Sequence, residues 1–325
     1  MDSLTQATLG AALGEALLGK KIGNKAAVIG ALIGTIPDLD IMFVPFFDEF
    51  QKISLHRGYS HSFLFCILGA FLLAYVFGKI KWVTNISYRK LWLFSFLALL
   101  THVLLDCFTS YGTQLFLPFT DLRVSFDSIS IIDPLYTTPL LLGVLISVFY
   151  CRKTDKQRGL PNYIGLVISS FYLLFTLTNK QHIEQVFCTQ LKEQNIPSTQ
   201  LLTIPVKVGN VIWYGVAKDH SNLHIGKYNS FKKNKIKFHT FPINDHLLKE
   251  LDELLVYRMK WFAKGFYTVV KKNDKIRIYN MQCDMQGIRK FGNYKAPTAF
   301  YFELSPHKDG TYQLSSGMHQ EIIIE

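Results

Sequence analysis

The residues best equipped for chemistry sit in two short stretches. Residues 35–62, TIPDLDIMFVPFFDEFQKISLHRGYSHS, hold Asp38, Asp40, His56 and His61 between two apolar segments. Downstream, THVLLDC supplies His102 and Asp106, four residues apart and so on one face of a helix. Carboxylates and imidazoles are costly near a bilayer and mark function there. A divalent cation needs deprotonated donors in fixed geometry, and mixed His and Asp suits zinc first, with manganese and iron as alternatives, better than calcium. Asp38 and Asp40, beyond the helix-breaking Pro37, can face one centre from a turn. Gly58, between His56 and His61, would let the backbone fold tightly. One helix can supply two ligands through His102 and Asp106. The predicted ligands are therefore Asp38, Asp40, His56, His61, His102 and Asp106. A cation so held acidifies its water to a pKa of about 7 and polarises a phosphoryl oxygen, which suits hydrolysis. Arg57, with Arg123 as a second candidate, would hold a phosphate or carboxylate. Asp40, His61 and Arg57 are the residues expected to take part in catalysis.

Blander readings exist for each piece. HxxxD arises by chance, Asp-Leu-Asp after a proline can form a turn, and both histidines could be interfacial. Their conjunction at one membrane face is what favours a metal. Ser60 and Ser62 flank His61, but no nucleophile elbow or acid partner frames them. Glu15, inside the first apolar segment, reads as a bundle-interior residue. Asp133, just before Pro134, either caps a helix or joins the site.

These residues need a scaffold, and the composition points to a membrane bundle. The 325 residues are 49% hydrophobic, more apolar than an ordinary soluble domain. Two short segments, Thr5–Leu18 and Lys25–Ile36, carry Gly10, Gly14, Gly30 and Gly34 in the small-xxx-small spacing that lets helices approach closely. Four longer spans are expected at Ser62–Phe77, Leu91–Phe108, Pro134–Tyr150 and Tyr163–Thr178. Basic loops (Lys20, Lys21 and Lys25; Lys79, Lys81, Arg89 and Lys90; Arg152, Lys153, Lys156 and Arg158) alternate with acidic ones, so the positive-inside rule puts the candidate ligands on the outer face. The same parity makes the remainder of the chain extracytoplasmic.

That remainder, residues 180–325, reads as an α+β soluble domain following the membrane domain of residues 1–179. Strand-like runs occur at TIPVKVGNVIWYGVAK, LHIGKY, IKFHTF, FYTVVKK, KIRIYNM and TAFYFELS, with a helix expected over Asp245–Phe262 and Asp245 as its cap. Lys and Arg number 14 against 11 Asp and Glu up to Asn179, and 21 against 13 beyond it. With this spread and no Arg-rich block, no nucleic-acid partner is expected, and a solvated or headgroup-facing surface fits better. His182, His220, His224, His239, His246 and His307 lack ligand spacing. Cys66, Cys107 and Cys151 read as small buried hydrophobes. Cys188 and Cys283 could pair if that part is extracytoplasmic. The MDSLTQ start lacks the basic n-region of a cleavable signal peptide.

MDSLTQ…G, PDLD, HRGYSHS, TH…LLD, YGTQLFLPF and IIDPLY together resemble the YdjM-like family of predicted membrane-bound metal-dependent hydrolases, over about residues 1–178. The resemblance implies a multi-pass bacterial inner-membrane protein, with a proposed relation to zinc-dependent phospholipase C-like enzymes. It carries onto Asp38, Asp40, His56, His61, His102 and Asp106. Many members have a His after Thr near the N-terminus, where this chain has Gln6. The expected function is a metal-dependent hydrolase acting on a phosphoester or lipid-linked substrate, with membrane lipid as partner. The alternative is a non-catalytic sensor or assembly protein whose C-terminal domain binds a partner.

Overall fold

The computed structural model describes residues 1–151, 157–206, 208–249, 251–282, 300–306 and 312–318. Two compact units emerge: Met1–Pro45 with Leu55–Leu177, and Phe46–Ser54 with Thr178–Glu325.

The first unit is helical. Helix α1, Ser3–Ile22, starts where the Asp2 side chain accepts the Thr5 N–H and stops at Gly23, whose φ of 65° a side chain would resist. Helix α2 covers Lys25–Thr35. The two lie antiparallel with glycine against backbone: a Cβ on Gly10 would stand 2.2 Å from the Gly30 carbonyl oxygen, and one on Gly14 2.1 Å from that of Ala26. The small-residue spacing thus does what was expected of it. After α2 a 3-10 segment, Pro37–Phe46, turns away by 43°. A short helix α3, Glu49–Leu55, follows.

Helices α4 (Phe63–Gly78), α5 (Tyr88–Cys107), α6 (Pro134–Phe149) and α7 (Leu160–Glu193) complete the set. Leu18, Ile29 and Ile33 pack with Cys66, Phe94 and Leu99, while Leu9 and Ala12 pack with Leu105, Ile129, Tyr136 and Leu140. The α1–α2 pair is therefore embraced on two sides. Leu68, Phe71 and Leu72 on α4, and Phe171, Leu174 and Phe175 on α7, are exposed, as lipid-facing residues would be. Glu15 is buried and accepts from Arg158 at 2.7 and 3.0 Å, an interior ion pair. Asp133 caps α6 through the Leu135 N–H and accepts from the Tyr172 hydroxyl, so its capping alternative is the one seen.

Four long spans are not supported among the described residues. By length and composition α5 and α7 are long and apolar enough to cross a membrane, and α2 with the bent 3-10 segment makes a third if the two act as one span. Helices α4 and α6 have 16 residues each, about 24 Å at 1.5 Å per residue against a core of roughly 30 Å. Ser62 fixes the start of α4, and Asp133 with Pro134 that of α6. The alternation of sides derived from four crossings loses its basis with them. Helix α7, by contrast, runs on through Asn179 to Glu193 instead of ending at Thr178.

The second unit is a β-sheet domain. Strands β1 (Gln200–Pro205), β2 (Ile212–Lys218), β3 (Asn222–Asn229) and β4 (Phe238–Pro242) form one antiparallel sheet in sequential order. Strands β5 (Tyr267–Lys272), β6 (Lys275–Asn280), β7 (Phe300–Pro306) and β8 (Tyr312–Met318) form the other. Ile183 and Phe187 of α7 pack under the first sheet with Trp213, Tyr228 and Ile236. The run expected as one strand over residues 203–218 breaks in two at Gly209, φ 81°. Helix α8 is Glu253–Phe262, capped by Asp252 and shorter than expected. Asp245 instead accepts from the Tyr267 hydroxyl and pairs with Lys260 at 2.7 Å. Strand β8 had no signal strong enough to be expected. Cys188 is exposed and free, whereas Cys283, His307, Arg152, Lys153 and Lys156 lie outside the described residues.

Candidate metal centre

Four donor atoms converge within 4.8 Å of one another: those of Asp38, His61, His102 and Asp106. Asp38 enters from the first turn of the 3-10 segment, which Pro37 opens once α2 ends. His61 sits just before α4, and α5 presents His102 and Asp106 one turn apart. His61 Nε2 is 3.3 Å from His102 Nε2, 3.4 Å from Asp38 Oδ1 and 3.3 Å from Asp106 Oδ2. His102 Nε2 is 3.6 Å from Asp38 Oδ1 and 3.7 Å from Asp106 Oδ2. Four donors around a cation at 2.0–2.2 Å form a tetrahedron with edges of about 3.3–3.6 Å. Five of the six donor separations, 3.3–3.7 Å, fit that range.

The surrounding hydrogen bonds fit as well. His102 Nδ1 donates to the Gly34 carbonyl at 2.6 Å, which leaves Nε2 as the lone-pair nitrogen. His61 Nδ1 donates to Ser60 Oγ at 2.9 Å, and that hydroxyl donates to Asp40 Oδ2 at 2.8 Å. Metal-bound imidazoles usually carry such a partner on the far nitrogen. With both lone pairs so fixed, two Nε2 atoms 3.3 Å apart need something positive between them. Asp106 Oδ2 is buried and accepts no hydrogen bond, a cost that a cation beside it would relieve. Without a cation a proton serves instead. Burial alone would lower the pKa of His61, but Asp106, Asp38 and Asp40 outweigh it and push the imidazole up to about 10.

Asp40 and His56 stand outside the four. Asp40 accepts from His56 Nδ1 at 3.0 Å, from the Arg57 N–H at 3.1 Å and from Ser60, so it braces the loop behind His61. His56 is part-exposed and meets Tyr111 edge-on. The left-handed residue of this loop is Arg57, φ 59°, not the Gly58 expected to make the tight turn. A non-glycine residue there is strained and is held by its neighbours. Here the Asp40 bond holds the backbone, and the guanidinium donates to Thr109 Oγ1 at 2.8 Å and pairs with Asp106 Oδ1 at 3.3 Å. Arg57 is thus committed to a carboxylate of the chain. Arg123 donates to the Tyr111 carbonyl oxygen and lies over that ring. Gln6 Nε2 donates to Asp106 Oδ1 at 3.1 Å and to the His102 carbonyl at 3.2 Å, and the Met1 amino group pairs with the same Asp106 oxygen. Sequence reasoning missed Gly34, Ser60 and Thr109 as supports. Only Ser60, next to His61 in the sequence, could have been found from spacing.

The profile of the YdjM inner membrane protein family matches residues 1–183, a stretch that contains every residue of this centre. The chain belongs to the YdjM family. Uncharacterized protein YfhP of Bacillus subtilis (strain 168) is similar, 31% identical over 186 residues, or 54% of this chain and 53% of that protein. The chain therefore spans about half the length of that relative. Inner membrane protein YbcI of Escherichia coli (strain K12) is 27% identical over 155 residues, 44% of this chain and 86% of YbcI. No solved structure matches. YdjM membership and the apolar helices together support an inner-membrane location.

Proposed function

We propose that this chain is a membrane-bound metal-dependent hydrolase that cleaves a phosphoester of a lipid-linked substrate. Asp38, His61, His102 and Asp106 would hold a divalent cation, zinc before manganese or iron. The observation that carries this is the pair of facing Nε2 atoms, 3.3 Å apart, each fixed by a hydrogen bond at its other nitrogen. A bound cation of this kind supplies Lewis acidity toward a phosphoryl oxygen. The chain's own residues supply the rest. Asp38, with its side chain 18% exposed against 0–1% for the other three donors, marks the side from which substrate arrives. His56, with Asp40 on Nδ1, would move a proton at Nε2. Arg57 holds Asp106 in place.

A second reading has an observation of its own. Four protein donors fill a tetrahedron, as in structural sites, whereas catalytic zinc keeps a position open. The centre would then tie the 3-10 segment, the His61 loop and α5 together in a non-catalytic sensor or assembly protein. Metal analysis of the purified chain, with release of headgroup phosphate from phospholipid micelles, separates the two. One ion per chain and turnover, both lost in His61→Ala and His102→Ala, support the hydrolase. One ion without turnover favours the structural reading. A metal-free wild type overturns both.

A further inference from the structure

We propose that the turn between β3 and β4 is a docking surface for the anionic phosphate headgroups of a bilayer. Lys227, Lys232, Lys235 and Lys237, with Asn229 and Asn234, line a cavity of about 610 Å³ on the first sheet of the C-terminal unit. From Lys227 to Phe241 the chain carries five lysines and no Asp or Glu. Lys232, Lys235 and Lys237 are exposed and make no ion pair with any carboxylate among the described residues. Three basic groups elsewhere on this unit are matched: Lys260 pairs with Asp245, and Lys275 and Arg277 pair with Glu303. Unneutralised positive charge packed this closely repels itself, and an anion relieves the repulsion.

Phe231 separates a bilayer from other anions as the occupant. It sits at the tip of the turn, directly before Lys232, and is 81% exposed. An aromatic ring left in water beside a lysine cluster matches the combination by which peripheral segments enter a lipid interface: the ring at the acyl boundary, the ammonium groups among the phosphates. The inference does not depend on the metal centre.

The test uses the full chain in nanodiscs of phosphatidylcholine, alone or doped with phosphatidylglycerol. Acetylation of individual lysines is timed by mass spectrometry, with Lys249 as the reference in the same unit. Lys232, Lys235 and Lys237 should react about fivefold more slowly in the anionic discs, the factor that about 1 kcal/mol per lysine gives at a charged surface. High salt should abolish the difference, and Phe231→Ser should reduce it. Equal rates in the two discs overturn the proposal. Equal protection by inorganic phosphate in phosphatidylcholine discs also overturns it, because the cavity would then take a soluble phosphate.

Discussion

Replacing Asp40 by Asn would separate a carboxylate proposed to hold the cation from one that holds a ligand. Asp40 touches His61 through Ser60, with hydrogen bonds of 2.9 and 2.8 Å, and directly at 3.3 Å from Nδ1. Asn keeps the size and an acceptor for the Arg57 N–H, so the loop should persist. What it loses is the charge that favours a donor hydrogen on Nδ1 and makes Nε2 a better ligand. Partners of this kind are worth roughly 10–100-fold in metal affinity, or about 1.4–2.8 kcal/mol. Asp38→Asn, by contrast, weakens a donor atom 3.4 Å from His61 Nε2 and 3.6 Å from His102 Nε2, and should end stoichiometric binding. Competition against a chromogenic chelator at fixed pH reads both variants. The expected order is wild type, then Asp40→Asn with full occupancy at raised metal, then Asp38→Asn. If Asp40→Asn empties the site as completely as Asp38→Asn, Asp40 is a ligand and the assignment of shells is wrong. If it changes nothing, the Ser60 relay has no influence on His61.

Other perturbations test separate parts of the reasoning. Without metal, His61 has a pKa of about 10, above the usual 6.5. Its charge therefore stabilises the fold fully below pH 6.5, and that contribution is lost as pH rises through 10. Because a cation must displace that proton, zinc affinity should rise about tenfold per pH unit between pH 7 and 9; a flat profile in the competition assay would sink the assignment. Gly30→Ala places a Cβ 2.1 Å from the Gly10 carbonyl oxygen, so thermal unfolding in detergent should show a loss of at least about 1–3 kcal/mol. Gly69→Ala, whose nearest neighbour is the movable Leu99 Cδ1 at 3.3 Å, should cost far less. Arg158→Met strands Glu15 in the bundle and should cost about 3–5 kcal/mol, whereas Arg158→Met with Glu15→Leu should recover most of it.

The sequence exposed the site more clearly than the scaffold. Mixed His and Asp at helix ends have little purpose in an apolar chain, so Asp38, His61, His102 and Asp106 stood out by type, and His102 with Asp106 by period. Sequence spacing could not rank donors within one loop. Asp38 and Asp40 differ only in which side of a 3-10 turn they occupy, and His56 and His61 in which side of the Arg57 kink; both are decided by tertiary contacts. Where the short apolar helices begin was legible, since the segments expected from Ser62 and Pro134 start at those caps. Whether each crosses was not, because hydropathy marks an apolar run of 16 residues without deciding that it reaches across a bilayer. In the C-terminal unit alternation located the strands, yet the break at Gly209 needed a backbone angle that composition does not reveal.

The energetics of burial give the strongest reason to look for a cation here. Ion pairs taken out of water seldom stabilise a protein more than well-packed apolar residues would, because desolvation offsets the attraction. This chain nonetheless encloses Asp40, Arg57, His61, His102 and Asp106, all at 8% exposure or less, with Asp38 at their edge. Three carboxylates here face one guanidinium and the Met1 ammonium, which leaves a negative charge when both imidazoles are neutral. A divalent cation offsets that excess, and the facing Nε2 lone pairs are already turned to receive it. A proton on His61 offsets it as well. The same deficit that raises the His61 pKa would therefore draw a metal to the site, and the two should exchange for one another as pH and metal are varied.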